Sequence, residues 1–325
     1  MILGIDTSNY TTSLALCDDA GHVVGDVRRV LEVRTGERGL RQSEAVFQHV
    51  RNLPELMDEL SAAHPLAGNL KAIGVSVSPR PLEESYMPVF RVGQGAGRML
   101  GAADGLPVYA FSHQENHIRS AMAACVANRR DLDYPLLAVH FSGGTSEILL
   151  VTLKDRGFDC RIVGRSLDLN AGQLVDRIGV ALGLGFPAGR ELEGLARQAG
   201  DRGCVIPTRV EGGDFHFSGQ ENKARRLIET GEEPAAIAYG LFASIGRTLG
   251  RAIRHLAGRY GVKTVIFSGG VMANGIVRET AEKRLQGTHL DLRFADPRYA
   301  TDNSVGDALL AWEAWSAEEG GGSDD

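Results

Sequence analysis

Apolar segments at Ile2–Ile5 and Leu14–Cys17 flank the small, polar stretch Asp6–Ser13. Val23–Val30 follows the turn Asp18-Asp19-Ala20-Gly21. Short apolar runs separated by turn residues predict a β-meander at the start of the chain. Residues 43–63 carry apolar side chains at helical spacing (Val46, Val50, Leu53, Leu56, Met57, Leu60). Pro54 either begins a new helix there or kinks this one. Lys71–Val77 predicts a strand, Val92–Ala103 a helix rich in small residues, and Val108–Phe111 a strand running into His113.

The pattern then restarts. Leu136–Phe141, the turn Ser142-Gly143-Gly144-Thr145-Ser146, and Ile148–Leu153 repeat the opening order of strand, small polar turn, strand. A hairpin repeated near half the chain length predicts a duplicated, two-lobed α/β fold with a ligand in a central cleft. Residues 235–257 predict an amphipathic helix through Ile237, Leu241, Ile245, Leu249, Ile253 and Leu256. Val262–Phe267 predicts a buried strand ending at Ser268-Gly269-Gly270. Residues 274–286 predict a helix, and Asp307–Trp315 begins the last one. The acidic, Gly-rich residues 317–325 predict a disordered tail.

Composition narrows the class. At 325 residues, 43% hydrophobic and 23% charged, the chain matches a globular protein of about two domains. A net charge of −6 argues against a general nucleic-acid coat, although 30 of the 35 basic residues are Arg. The charge does not exclude a local basic patch; Arg28, Arg29, Arg34, Arg38 and Arg41 form the densest N-terminal basic stretch, which reads first as a solvated loop. No apolar run reaches the ~18 residues of a membrane helix. The N-terminus reads as a strand and not as a signal peptide. Cys17, Cys125, Cys160 and Cys204 lack CxxC spacing and predict reduced thiols in a cytoplasmic protein.

Four segments carry candidate chemistry. In His113-Gln114-Glu115-Asn116-His117, two His at i and i+4 share one helix face and could hold a metal ion. Surface or capping histidines are the alternative, and a metal needs a third ligand that spacing does not locate. Glu115 sits about 200° around the helix from His113, so the segment is poorly built for peptide hydrolysis. The turns at Ser142-Gly143-Gly144 and Ser268-Gly269-Gly270 end buried strands, where backbone amides can approach phosphates; plain tight turns would look the same. Asp176 precedes a Gly/Pro-rich loop and reads either as a ribose-binding acid or as a solvated helix residue. Asp302, in Ala300-Thr301-Asp302-Asn303, reads as an N-cap.

The ordered set ILGIDTS, HQENH, FSGGTSEI, AGQLVDRIGVALGLGFPAG, FHFSG, FSGGVMAN and TDN resembles the TsaD (Gcp) family from Ile2 to about Trp315. That family contains the catalytic subunit that makes threonylcarbamoyladenosine in tRNA and was long labelled peptidase M22. The resemblance implies an actin/hexokinase/Hsp70-like (ASKHA) fold. Residues 1–111 with a returning helix in 298–325 would form one lobe, and residues 112–297 the other. It also implies that His113, His117 and Asp302 bind one divalent metal, iron or zinc. His140, Phe141, Ser142, Gly143 and Gly144 would cradle ATP, AMP or an acyl-adenylate. Asp176 would bind the ribose, and Gly189 and Asn274 would contact the nucleotide. The implied reaction moves a carbamoyl-type group from an adenylate to an acceptor such as tRNA adenosine, with release of AMP. A tRNA would arrive through a local Arg patch or a partner subunit, and a homo- or heterodimer fits the family.

Departures from the family pattern mark a divergent paralogue. The family's S-C-D-E-T is Ser8-Asn9-Tyr10-Thr11-Thr12 here, so two acids are missing. Its G-P-G loop is replaced by the bulkier Pro79–Pro88 segment. SGGH has become Ser142-Gly143-Gly144-Thr145, and the Gly-Gly of the PGG loop is Ala188-Gly189. A non-catalytic nucleotide-binding scaffold is therefore the second reading, with a metallopeptidase third and a sugar kinase fourth.

Overall fold

The computed structural model describes residues 1–8, 10–33, 40–82, 84–200 and 202–321. Asn9, Arg34 and Arg38, named above, and Glu83 of the Pro79–Pro88 segment lie outside the described residues. In chain order the elements are β1 (Ile2–Asp6), β2 (Thr11–Cys17), β3 (Val23–Val30), α1 (Gln42–Ala63), β4 (Ala72–Ser78), α2 (Phe90–Asp104), β5 (Val108–Ser112) and α3 (His113–Met122). Then come β6 (Leu136–Phe141), β7 (Ser146–Leu153), β8 (Phe158–Arg165), α4 (Ala171–Ala181), α5 (Gly189–Gln198), β9 (Arg209–Glu211), β10 (Asp214–His216) and α6 (Ser218–Glu229). The chain closes with α7 (Pro234–Tyr260), β11 (Thr264–Ser268), α8 (Gly275–Leu285), β12 (Asp291–Phe294) and α9 (Val305–Gly321).

Contacts divide the chain into two compact units. One holds Met1–Leu132, Leu153–Asp159 and Thr301–Asp325; the other holds Asp133–Thr152 and Cys160–Ala300. The junction at residue 112, where the sequence suggested a lobe boundary, lies inside the first unit. There Ser112 caps α3, and α3 packs against β4, β5 and α9.

The first unit carries a sheet of order β3-β2-β1-β4-β5. Strands β1, β2 and β3 are antiparallel, and β4 and β5 run parallel to β1. The second unit repeats this plan as β8-β7-β6-β11-β12, with β7 antiparallel to β6 and β11 and β12 parallel to it. The hairpin repeat read in the sequence is thus one part of a five-strand duplication. Each sheet packs its own apolar core: Leu3, Ile5, Leu14, Leu16, Ile73 and Val75 against α1 in the first unit, and Leu137, Val139 and Phe267 beneath α7 in the second.

Two expectations need correction. Pro54 lies inside one continuous helix, and no new helix starts there. The backbone bond that proline removes is offset by burial of Leu53, Leu56 and Leu60 on one face. Residues 317–321 are helical, because α9 runs on to Gly321, held where the Tyr109 hydroxyl donates to Glu318 Oε2 at 2.8 Å. Residues 322–325 lie outside the described residues. The strands β8 and β12 and the short, predominantly polar helices α5 and α6 add to the elements predicted above. Among the described residues no helix is long and apolar enough to cross a membrane.

Candidate functional site

In the first unit, α3 begins with a reciprocal cap. The Ser112 hydroxyl accepts from the Glu115 N–H at 3.2 Å, and Glu115 Oε2 accepts from the Ser112 N–H at 2.8 Å. Glu115 Oε1 accepts from the Phe158 N–H at 2.9 Å. Glu115 is therefore committed to the helix start, as its position on the far side of the helix from His113 suggested.

The cap fixes where His113 and His117 point. Their rings meet edge to face, with centroids 4.3 Å apart. His117 Nε2 lies 3.2 Å and His113 Nε2 3.7 Å from Asp302 Oδ1. One donor atom from each of the three residues falls within 4.8 Å of the others. Ligand bonds of about 2.0–2.2 Å to a shared ion put donors at such separations.

Asp302 is not the N-cap of α9. It lies three residues before Val305, the first residue of α9, and the side chain that meets the helix start is that of Asn303, whose Oδ1 accepts from the Val305 N–H at 2.9 Å. The start of α9 is locked onto α3: Ser120 Oγ donates to Asn303 Oδ1 at 2.8 Å and accepts from the Gly306 N–H at 2.8 Å. The Asp307 N–H donates to Asn116 Oδ1 at 3.1 Å. These bonds place Asp302 beside the His pair. Arg28 adds a brace from β3, donating to Thr301 Oγ1 at 3.2 Å. Deeper in, Arg119 and Arg129 both pair with Glu313 of α9, at 2.9 and 2.6 Å, in a buried triad.

Residues missed in the sequence form the support of this cluster. Asp6, 1% exposed at the end of β1, accepts from the Asn116 amide at 2.9 Å and pairs with His113 Nδ1 at 2.7 Å. Burial depresses the His113 pKa, but the Asp6 carboxylate, through charge and hydrogen bond, and Asp302 outweigh it and raise it to about 9. Asp307 lies behind Asp6. Burial first, then the charge of Asp6, pushes its carboxyl well above the usual range. The signal in the sequence was the Asp at the end of the first strand, read only as the start of a polar turn.

In the second unit, His140 and Ser268 are register partners on the parallel strands β6 and β11, with His140 Nδ1 3.1 Å from Ser268 Oγ. Both Ser-Gly-Gly turns thus leave the same edge of the sheet. At Gly269 (φ +93°) a Cβ would sit 2.2 Å from the Phe141 carbonyl oxygen, so only glycine fits. At Gly172, near the start of α4, a Cβ would sit 2.7 Å from the Gly143 backbone. Cβ positions on Gly143 and Gly144 would meet open space. The Asn170 amide donates to the Gly144 carbonyl at 2.8 Å and fixes the turn.

Asp176 Oδ1 accepts from the Ala188 N–H at 2.9 Å, tethering the loop ahead of Gly189, the first residue of α5. Asn274 caps α8, its Oδ1 accepting from the Val277 N–H at 3.0 Å. Its buried Nδ2 has no partner among the described residues. Asp168 is a further residue the sequence did not reveal. It gathers the Phe217 N–H at 2.8 Å and the Ser218 hydroxyl at 2.5 Å. These bonds and that of the Leu169 N–H outweigh burial and hold its pKa down to about 2.

The N-terminal Arg stretch is largely neutralised where it is described. Arg28 pairs with Asp26 and Arg29 with Glu55. Thr12, in the turn where acids were missed, is buried in β2 with its hydroxyl 2.8 Å from His49 Nδ1. Pro79, at the start of the Pro79–Pro88 segment, meets α3, its carbonyl accepting from the Gln114 N–H at 3.1 Å.

Comparison with known proteins places these observations. The family model for TsaD, tRNA N6-adenosine threonylcarbamoyltransferase, matches residues 30–309. A tRNA N6-adenosine threonylcarbamoyltransferase of Thermus thermophilus is 31% identical over 96% of this chain and 92% of its own length. Among solved structures, component A of the Acidaminococcus fermentans (R)-2-hydroxyglutaryl-CoA dehydratase superposes with a TM-score of 0.57 at 17% identity, covering 97% of this chain and 98% of that one. A ROK family glucokinase from Streptomyces griseus does so with a TM-score of 0.54 at 13% identity, covering 95% and 98%. The α/β duplication is therefore that of the actin/hexokinase-like fold, and the chain belongs to the TsaD family of tRNA N6-adenosine threonylcarbamoyltransferases.

Proposed function

We propose that this protein transfers a threonylcarbamoyl or related carbamoyl group from a carbamoyl-adenylate to an acceptor amine, with tRNA adenosine as the acceptor. The observation that carries the reading is the convergence of His113 Nε2, His117 Nε2 and a carboxylate oxygen of Asp302 within 4.8 Å. Two imidazoles and a carboxylate suit iron or zinc, and a bound ion would act as a Lewis acid on an acyl-phosphate oxygen. Asp6 keeps the Nδ1 proton of His113 on its far side, so Nε2 is left as the donor.

In the second unit, Gly143 and Gly144 leave room beside their backbone for phosphate oxygens. The unpartnered Asn274 Nδ2 is a donor awaiting a ligand, and Asp176 Oδ2, free of protein partners among the described residues, could accept from a ribose hydroxyl. In the reaction, the acceptor nitrogen forms a bond to the carbonyl carbon and loses a proton. The bond from that carbon to the phosphate oxygen breaks, and AMP departs with the electron pair. The four cysteines are thiols, which supports a cytoplasmic enzyme.

A non-catalytic scaffold is the second reading, favoured by Tyr10 and Thr11 where the family carries acids. A peptidase is disfavoured, because Glu115 caps α3 instead of facing the His pair. Metal content and AMP release from a carbamoyl-adenylate, measured on wild type and Asp302→Ala, test the proposal. Near-stoichiometric metal with AMP release, both lost in Asp302→Ala, is expected. Bound metal without AMP release in the presence of tRNA and partner subunits would leave the scaffold reading.

A further inference from the structure

An acidic protein that takes tRNA needs a local cationic surface, and the N-terminal Arg stretch does not supply it where described. The second unit does. On α7, Arg247, Arg251 and Arg254 recur at i, i+4 and i+7 along one face. On α8, Lys283 and Arg284 close the last turn beside them.

Small residues bring the two rows together. A Cβ on Gly246 would lie 2.6 Å from the Val277 carbonyl oxygen, and one on Gly250 would lie 2.6 Å from the Cβ of Arg284. The helices therefore pack closely enough to set Arg284 beside Arg247 and Arg251. Arg251, Arg254, His255, Lys283 and Arg284 are exposed and line one groove of ≈ 580 Å³. Arg251 is shared with an adjoining groove of ≈ 490 Å³, which also holds Arg247, Tyr239 and Val205, the last 83% exposed.

Among the described residues none of these arginines or Lys283 makes an ion pair; the nearby Glu282 is taken by Arg278. Their side-chain bonds run instead to carbonyls and a hydroxyl. Arg247 donates to the Ile206 carbonyl at 2.9 Å, Arg251 to Thr208 Oγ1 at 3.0 Å, and Arg254 to the Arg284 carbonyl. The helix dipole accounts for cations in the last turn of α8 but not for those in the body of α7. Burial and the neighbouring Arg284 lower the pKa of Arg247. Like charges at i,i+4 are destabilising, and an anionic partner relieves that cost.

We propose that this face of α7 and α8 binds the phosphate backbone of the RNA acceptor, with Tyr239 and Val205 offering apolar contact to an unpaired base in the adjoining groove. The inference rests on the reading of tRNA as the acceptor. Phosphate neutralisation makes binding salt-dependent, with a slope of about 0.7–0.9 per contact in log K against log salt.

The test titrates labelled, unmodified tRNA into the full-length protein from about 50 to 200 mM KCl. The variants are Arg251→Gln/Arg254→Gln/Arg284→Gln and, as a control at pairs elsewhere, Arg156→Gln/Arg225→Gln. The triple variant is expected to bind at least about tenfold more weakly at 100 mM KCl, with the slope reduced by about 2. The control is expected to match wild type, and circular dichroism checks that all are folded. An unchanged slope in the triple variant overturns the proposal, as does failure of wild type to bind tRNA. Retention on polyglutamate instead of tRNA, lost in the triple variant, would assign the face to an acidic protein. AMP release from a carbamoyl-adenylate by wild type at saturating tRNA separately reports the transferase reading, so either conclusion can fail alone.

Discussion

The Asp6 carboxylate accepts from His113 Nδ1 at 2.7 Å, on the side of the ring opposite Asp302. This contact links the end of the first strand to the helix start that carries the ligand set, and it sets which imidazole nitrogen is available. Outer-sphere carboxylates of this kind typically change metal affinity 10–100-fold. Asp6→Asn is expected to weaken zinc or iron(II) binding by about that range. A competition titration against a chromophoric chelator reads it directly, and affinity equal to wild type would show that Asp6 does not position His113.

The same contact gives the metal-free protein a pH signature. The His113 pKa is raised to about 9 against an ordinary value of 6.5. The stabilisation is therefore fully present below 6.5 and is lost as pH rises through 9. At about 1.4 kcal/mol per unit it is on the order of 3 kcal/mol. Chelator-treated wild type should lose Tm between pH 6.5 and 9.5, and Asp6→Asn should have a flatter profile over that window. Parallel profiles would remove the His113–Asp6 pair as the cause.

Asp307 is buried behind Asp6 with its carboxyl raised, and Oδ1 has no partner among the described residues. Its Oδ2 accepts from the Ser76 hydroxyl at 2.8 Å. A group neutral in the folded state and ionised in the unfolded one draws the protein toward unfolding as pH rises above about 3.9. Asp307→Asn keeps the shape without that penalty. Its Tm should exceed that of wild type at pH 7.5 and approach it near pH 4; a lower Tm at pH 7.5 would mean that the charge itself is needed.

Asp168 holds the chain that leads into α6. Its pKa of about 2 lies below the ordinary 3.8, so its contribution is present above 3.8 and lost as pH falls toward 2. Hydrogen bonds to a charged acceptor contribute about 1.5–3 kcal/mol each. Asp168→Ala should cost about 2–3 kcal/mol in urea unfolding at pH 7. The gap should narrow at pH 3, and a constant gap at both pH values would point to packing alone.

Much of the fold was legible in the chain because apolar periodicity is a local property. The strands β1, β2, β4, β5, β6, β7 and β11 and the helices α1, α2, α7 and α8 each bury a face, and that face is written in nearby residues. The hairpin repeat exposed the duplication for the same reason. Short edge elements such as β12, and the amphipathic but polar α6, carry too few apolar positions to announce themselves.

The candidate ligands divide along the same line. The sequence by itself put His113 and His117 on one helix face, because i,i+4 spacing fixes that wherever a helix forms. Spacing alone did not bring Asp302 to them; the family resemblance named it, and its placement requires Ser120, Asn116 and Asn303 to lock α9 onto α3 across more than 180 residues of chain. Nor did it show Asp6 as the partner of His113, or the cationic face where Gly246 and Gly250 let α8 approach α7. Those relationships depend on which surfaces meet, and burial, which decides what a carboxylate or an arginine does there, exists only once the chain has folded.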